Sequence, residues 1–147
     1  MKNFIIAILI VLLLSSCTKD KPPVGEYIGT FKGTYTRDFM VIDYIRVYTL
    51  QINESNKTSL TLQYEYYISE LTKDNHNISG NLDFIEIRGS SVGHIYGPIE
   101  VYGSWKNDKD RYTISGDFSR NYKIISSLDS SVSEFPISGT FEIKSNF

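Results

Sequence analysis

GEYIGTFKGTY, residues 25–35, is the stretch that decides the fold class. Tyr27, Gly29, Phe31, Gly33 and Tyr35 share one parity, and Ile28, Thr30, Lys32 and Thr34 share the other. A period of two is the mark of a β-strand with one face turned inward. Glycine at alternate inward positions lets the backbone bend sharply, as it must where a small sheet closes on itself.

The alternation continues outward from this stretch. Residues 39–53 place Met40, Ile42, Tyr44, Tyr48, Leu50 and Ile52 on one parity, and Glu54-Ser55-Asn56-Lys57 supplies a turn. Leu60, Leu62, Tyr64, Tyr66 and Ile68 follow as the next inward face. Residues 73–77 form a polar loop, after which 78–88 and a stretch within 92–105 are predicted strands. Proline cannot donate to a ladder, so the second of these must begin after Pro98, bulge there or lie at an edge. Predicted strands at 111–119, 121–126 and 135–144 complete the set. The expectation is an all-β fold, an antiparallel meander of seven or eight strands forming a small barrel or a sandwich. Eleven Tyr and eight Phe against one Trp and two Met agree, because aromatic residues suit a half-buried pleated surface.

An internal echo runs through the same strands: Ile78-Ser79-Gly80-Asn81-Leu82, Ile114-Ser115-Gly116-Asp117-Phe118 and Ile137-Ser138-Gly139-Thr140-Phe141. Their unequal spacing excludes a solenoid or propeller. The echo instead marks where a strand coils, with the flanking apolar residues filling the interior.

Ahead of the β region, Lys2 precedes the uninterrupted apolar run from Phe4 to Leu14. At about 1.5 Å per residue this run reaches roughly 16 Å, against a hydrocarbon core of about 30 Å, so it fits a cleaved signal peptide better than a membrane span. Leu14-Ser15-Ser16-Cys17 resembles the bacterial lipobox, in which two small residues admit the peptidase and the thiol carries a diacylglyceryl thioether. The resemblance implies cleavage after residue 16 and acylation of Cys17, the chain's single cysteine, which has no disulfide partner within it. Several acyl chains at about 0.8 kcal/mol per buried methylene would anchor the protein to a membrane. Thr18 in place of Asp after the lipidated residue implies, by analogy with enterobacterial sorting, the outer membrane. Three segments follow: a signal peptide at 1–16, Cys17 with a polar tether to residue 24, and a single domain at 25–147.

Of the fifteen basic residues one lies in the leader, so the mature chain sets fourteen against seventeen acidic ones. Both signs are interspersed, which argues against nucleic acid as a partner. His76 and His94 stand apart with no ligand partners in sequence, so neither a metal nor any other cofactor is called for. Asp43, Asp83 and Glu86 could face an interior, but no acid/base pair follows, and no GxSxG or phosphate-binding glycine loop is present. An enzyme is not expected.

Tyr44, Tyr48, Tyr64 and Tyr66 are the candidate ligand-binding residues, as rings that could line a cavity or simply stabilise the sheet as cross-strand pairs. Gly25-Glu26-Tyr27 resembles the Gly-x-Trp with which lipocalins and related barrels open their first strand, with Tyr in place of Trp. That resemblance implies an eight-stranded cup for a small hydrophobic molecule. Three expectations result: a ligand-binding lipoprotein, a structural or protein-interaction lipoprotein with a filled core, and an integral outer-membrane barrel. The last is favoured by the parity of Ile137, Phe141 and Ile143 before the terminal Phe147 and opposed by Lys32, Glu65 and Lys144.

Overall fold

The computed structural model describes residues 21–89, 93–108 and 111–146, and the leader and Cys17 lie outside the described residues. Ten strands follow one another: β1 (Gly25–Arg37), β2 (Met40–Ser55), β3 (Ser59–Tyr64), β4 (Tyr67–Asp74), β5 (Asn77–Leu82), β6 (Glu86–Arg88), β7 (Gly93–Tyr96), β8 (Ile99–Asp108), β9 (Arg111–Ile125) and β10 (Val132–Ser145). The pairings β1-β2-β3-β4-β5-β8-β9-β10 return to β1, so eight strands close a ring and the fold is an all-β, barrel-like meander. β6 and β7 form a small hairpin on the last part of β9.

Local chemistry explains where the strands turn. Asp38 and Phe39 both take positive φ, 51° and 64°, as a two-residue hairpin between right-twisted strands requires. Asn56 Oδ1 accepts from the amides of Thr58 and Ser59 at 2.8 Å each, closing the β2–β3 turn. Pro98 breaks its strand as anticipated: β7 ends at Tyr96 and β8 begins at Ile99.

Four sequence expectations need correction. The face expected to run from Leu60 to Ile68 is two strands, because the chain reverses at Glu65-Tyr66 and pairs Tyr64 with Tyr67. Partners across a hairpin share a face, so the inward parity shifts: Tyr66 and Ile68 are exposed, while Ser69, Leu71 and Lys73 turn inward. The expected loop at 73–77 shrinks to Asn75-His76, and Lys73 lies in β4, its Nζ donating to Asn56 O at 2.8 Å. The strand expected at 78–88 breaks into β5 and β6, and those at 111–119 and 121–126 are one strand, β9.

The interior is aromatic and aliphatic. Phe31 packs on Phe118 at 5.3 Å, on Phe141 at 5.4 Å and on Tyr48 at 5.5 Å between ring centroids. Ile137, Phe141 and Ile143 are buried, so the parity of β10 that suggested a lipid-facing surface fills the core instead. The echo has a register to match: β9 and β10 pair Gly116 with Phe141 and Phe118 with Gly139, each glycine opposite the other motif's ring. On their far sides Gly116 faces Gly103 and Gly139 faces Gly33. A Cβ on Gly139 would lie 2.0 Å from Lys32 O, and one on Gly116 2.1 Å from Tyr102 O. Such approach is open only to glycine, and it permits the coiling that closes the ring. Gly139→Ala should therefore destabilise the domain by about 2 kcal/mol or more, read as a lower urea midpoint, whereas Gly93→Ala, whose Cβ would meet Ile125 at 3.5 Å, should cost far less.

Candidate functional site

Where β5 and β6 part at residues 83–85, and β7 and β8 part at 97–98, backbone carbonyls leave the ladder inside the barrel. Buried carbonyls without partners are costly. Arg120, on β9 at the inward parity between Phe118 and Tyr122, takes them up with a side chain that has no solvent exposure. Its Nε and Nη2 donate to Gly97 O at 3.0 and 2.6 Å, and Nη2 also reaches Phe84 O at 2.9 Å. Its Nη1 crosses the lumen to Tyr44 Oη at 2.6 Å, Tyr48 Oη at 2.9 Å and Glu86 Oε1 at 3.2 Å.

Glu86 is the carboxylate that the surrounding donors share. Tyr48 donates to its Oε1 at 2.5 Å, Arg88 donates to its Oε2 at 3.0 Å, and Arg46 Nε stands 3.7 Å from the same Oε2. Burial alone would raise its pKa, but the Tyr48 and Arg120 hydrogen bonds and the charges of Arg120 and Arg46 outweigh it and hold the carboxyl below its ordinary range. Burial pushes the Tyr48 phenol far up against the opposing pull of Arg120, so it keeps the proton it donates.

Arg46 also faces inward, two residues from Tyr44 and two from Tyr48. Its guanidinium carbon lies 5.2 Å from the ring centres of both Tyr44 and Tyr96. Its Nη1 donates to Ile45 O at 2.9 Å, while its Nε is, among the described residues, a buried side-chain donor without a hydrogen-bond partner. Three guanidiniums thus surround one carboxylate.

This cluster sits behind a notch in the wall. β2 pairs with β1 from end to end, but among the described residues it pairs with β3 only over Gln51–Ser55. The β3–β4 hairpin is short, so the far edge of β2 over residues 40–50 has no ladder partner, and β6 pairs only with β7. Side chains alone, Tyr48 and Arg46 to Glu86, bridge the gap between β2 and β6.

Of the candidate tyrosines, the structure brings three together. Tyr44 and Tyr48 are buried, with hydroxyls 3.3 Å apart, and Tyr64 packs edge-on to Tyr48 at 5.0 Å. Tyr66 is not with them; it is exposed at the hairpin turn and packs on Tyr67. Glu86 does face the interior, whereas Asp43 and Asp83 are exposed. Sequence reasoning missed Arg46 and Arg120, whose signal was a charged residue at an inward parity otherwise held by aromatics. His94 Nδ1 lies 2.5 Å from Tyr122 Oη, while His76 stacks on Trp105 at the other end of the barrel.

No family model, no curated protein and no solved structure matches this chain.

Two outcomes follow from the cluster. Arg120→Met, which keeps bulk and removes every donor, should cost about 3–5 kcal/mol in chemical denaturation, since it strands the Gly97 and Phe84 carbonyls and leaves Glu86 with a weaker set of partners. The lowered pKa of Glu86 sets a pH dependence. Its contribution is present above the ordinary glutamate value of 4.5 and is lost as pH falls from there through the lower folded value. Thermal melts from pH 7 to pH 3 should show wild type losing stability more steeply below that point than Glu86→Gln.

Proposed function

We propose that the chain is a lipoprotein, anchored at the outer membrane through Cys17, whose barrel is a filled scaffold for protein interaction and neither a cup for a small molecule nor an enzyme. The observation that carries this reading is contact across the lumen. Arg120 of β9 bonds directly to Tyr44 and Tyr48 of β2, which lies three strands away around the ring. In the same interior Phe31 of β1 packs on Phe118 of β9, two strands along the ring. Side chains from facing walls touch in the space where a lipocalin-like guest would lie. Among the described residues, one open groove of about 550 Å³ is lined by Asn81, Pro98, Glu100, Arg120, Lys123 and Pro136. The outer surface also carries apolar side chains that a solitary domain has no reason to expose in a group: Val41, Ile45 and Val47 on β2, and Ile87 on β6.

Native mass spectrometry of the full chain, purified in detergent from the cells that make it, tests both halves of the proposal. The expected mass is the chain from Cys17 onward with covalent acyl groups and nothing else bound. A small molecule retained at one per protein would overturn the filled scaffold. A chain that keeps its leader or lacks acyl groups would overturn the anchor.

A further inference from the structure

We propose that the notch between β2 and β6 is a docking site for an extended, acidic segment of a partner protein, which adds as a strand to the free edge of β2 and is received by Arg46 and Arg88. The inference rests on the interaction reading above and names its site and its partner chemistry. Two independent features point to the same occupant.

The first is the edge itself. Over residues 40–50 one side of β2 is fully paired with β1 and the other has no ladder partner among the described residues. A strand in that state presents alternate N–H and C=O groups outward, a template for another chain. Exposed edges are commonly blunted by charged side chains, a proline or a bulge. The free stretch of β2 has no proline, and its one irregularity lies outside it at Ile52–Glu54; its outward residues are Val41, Asp43, Ile45, Val47 and Thr49, and its inward charge is Arg46. Strand addition uses such a ladder for affinity and side-chain sites for specificity.

The second is charge. Arg46, Arg88 and Arg120 all reach Glu86, while Glu65 stands with Glu86 and Arg88 around Tyr64 and Asp43 points outward from β2. Arg120 is saturated by six acceptor contacts, but the other two are not. Arg88 is well exposed, and Arg46, held between two tyrosine rings at the wall of the notch, is a quarter exposed. The Glu86 oxygen nearest Arg46 is already bonded to Arg88. Carboxylates entering along β2 would meet both guanidiniums, including the Arg46 Nε that has no hydrogen-bond partner among the described residues.

Topology supplies the direction. The chain enters the barrel at Gly25, at the end that carries the 56–58 and 75–76 turns; the notch lies at the opposite end, with the 38–39 and 65–66 turns.

The test uses the full chain in a nonionic detergent and three peptides as long as the free edge: one alternating valine and glutamate, one alternating valine and lysine, and one with the first peptide's charge but prolines in place of its valines. The valine–glutamate peptide is expected to bind, and hydrogen exchange at residues 40–48 to slow on binding. The other two should bind at least about tenfold more weakly, since one has the wrong charge and the other cannot form a ladder. Arg88→Glu should weaken the first peptide by about tenfold or more. No binding at millimolar peptide, equal binding of the three, or unchanged exchange at residues 40–48 would each overturn the docking site. None of those results bears on whether the barrel is filled, which the mass measurement decides separately.

Discussion

The guanidinium of Arg120 stands where the sheet is interrupted, and the geometry of this end of the barrel depends on it. A closed ring satisfies its backbone through neighbouring strands, so a break on two adjacent strands at the same height exposes carbonyls to a dry interior. Five N–H groups in a fixed planar fork can meet carbonyls on one wall and phenols on the facing wall at once, which a lysine could not do. The two breaks and the buried arginine are therefore one feature. Without the donors, the Phe84 and Gly97 carbonyls would need either water or a continuous ladder.

Burying that charge has consequences that spread outward. An isolated guanidinium in a barrel is costly to desolvate, so a carboxylate must accompany it, and Glu86 at the start of β6 supplies one with most of its surface hidden. Tyr48 and Tyr44 complete the shell, their rings packed and their hydroxyls accepting from the Arg120 guanidinium. The other end of the barrel uses the same device in milder form, with Lys73 lying over the Trp105 ring and donating to the turn at Asn56. Each end is thus plugged by an amphipathic cation.

Closure of the ring is a separate problem, and the glycines answer it. The motif copies on β9 and β10 are laid antiparallel so that each places its glycine under the other's phenylalanine. The backbone gains the close approach that coiling needs, and the tips of the Phe118 and Phe141 rings reach over Gly33 and Gly103, the glycines one strand further on. An unevenly spaced repeat thereby acts as a single packing unit.

Period-two alternation by itself determined the all-β class, the antiparallel meander and most inward faces, because the two-residue repeat of a strand is written directly in residues such as Tyr27, Phe31, Tyr48 and Leu50. The missing N–H of Pro98 required an edge, a bulge or a break there, and the structure takes the break, with β8 beginning at Ile99. Alternation could not show that Glu65-Tyr66 reverses the chain, because a tight hairpin between two apolar runs imitates one long strand, and so Tyr66 and Ile68 were placed on the wrong face. Only the tertiary structure decided which charged residues belong to the interior. Arg46, Glu86 and Arg120 lie as many as 74 residues apart in sequence, and their burial is tolerable only because ring closure brings them within hydrogen-bonding reach of one another and of carbonyls that the breaks set free.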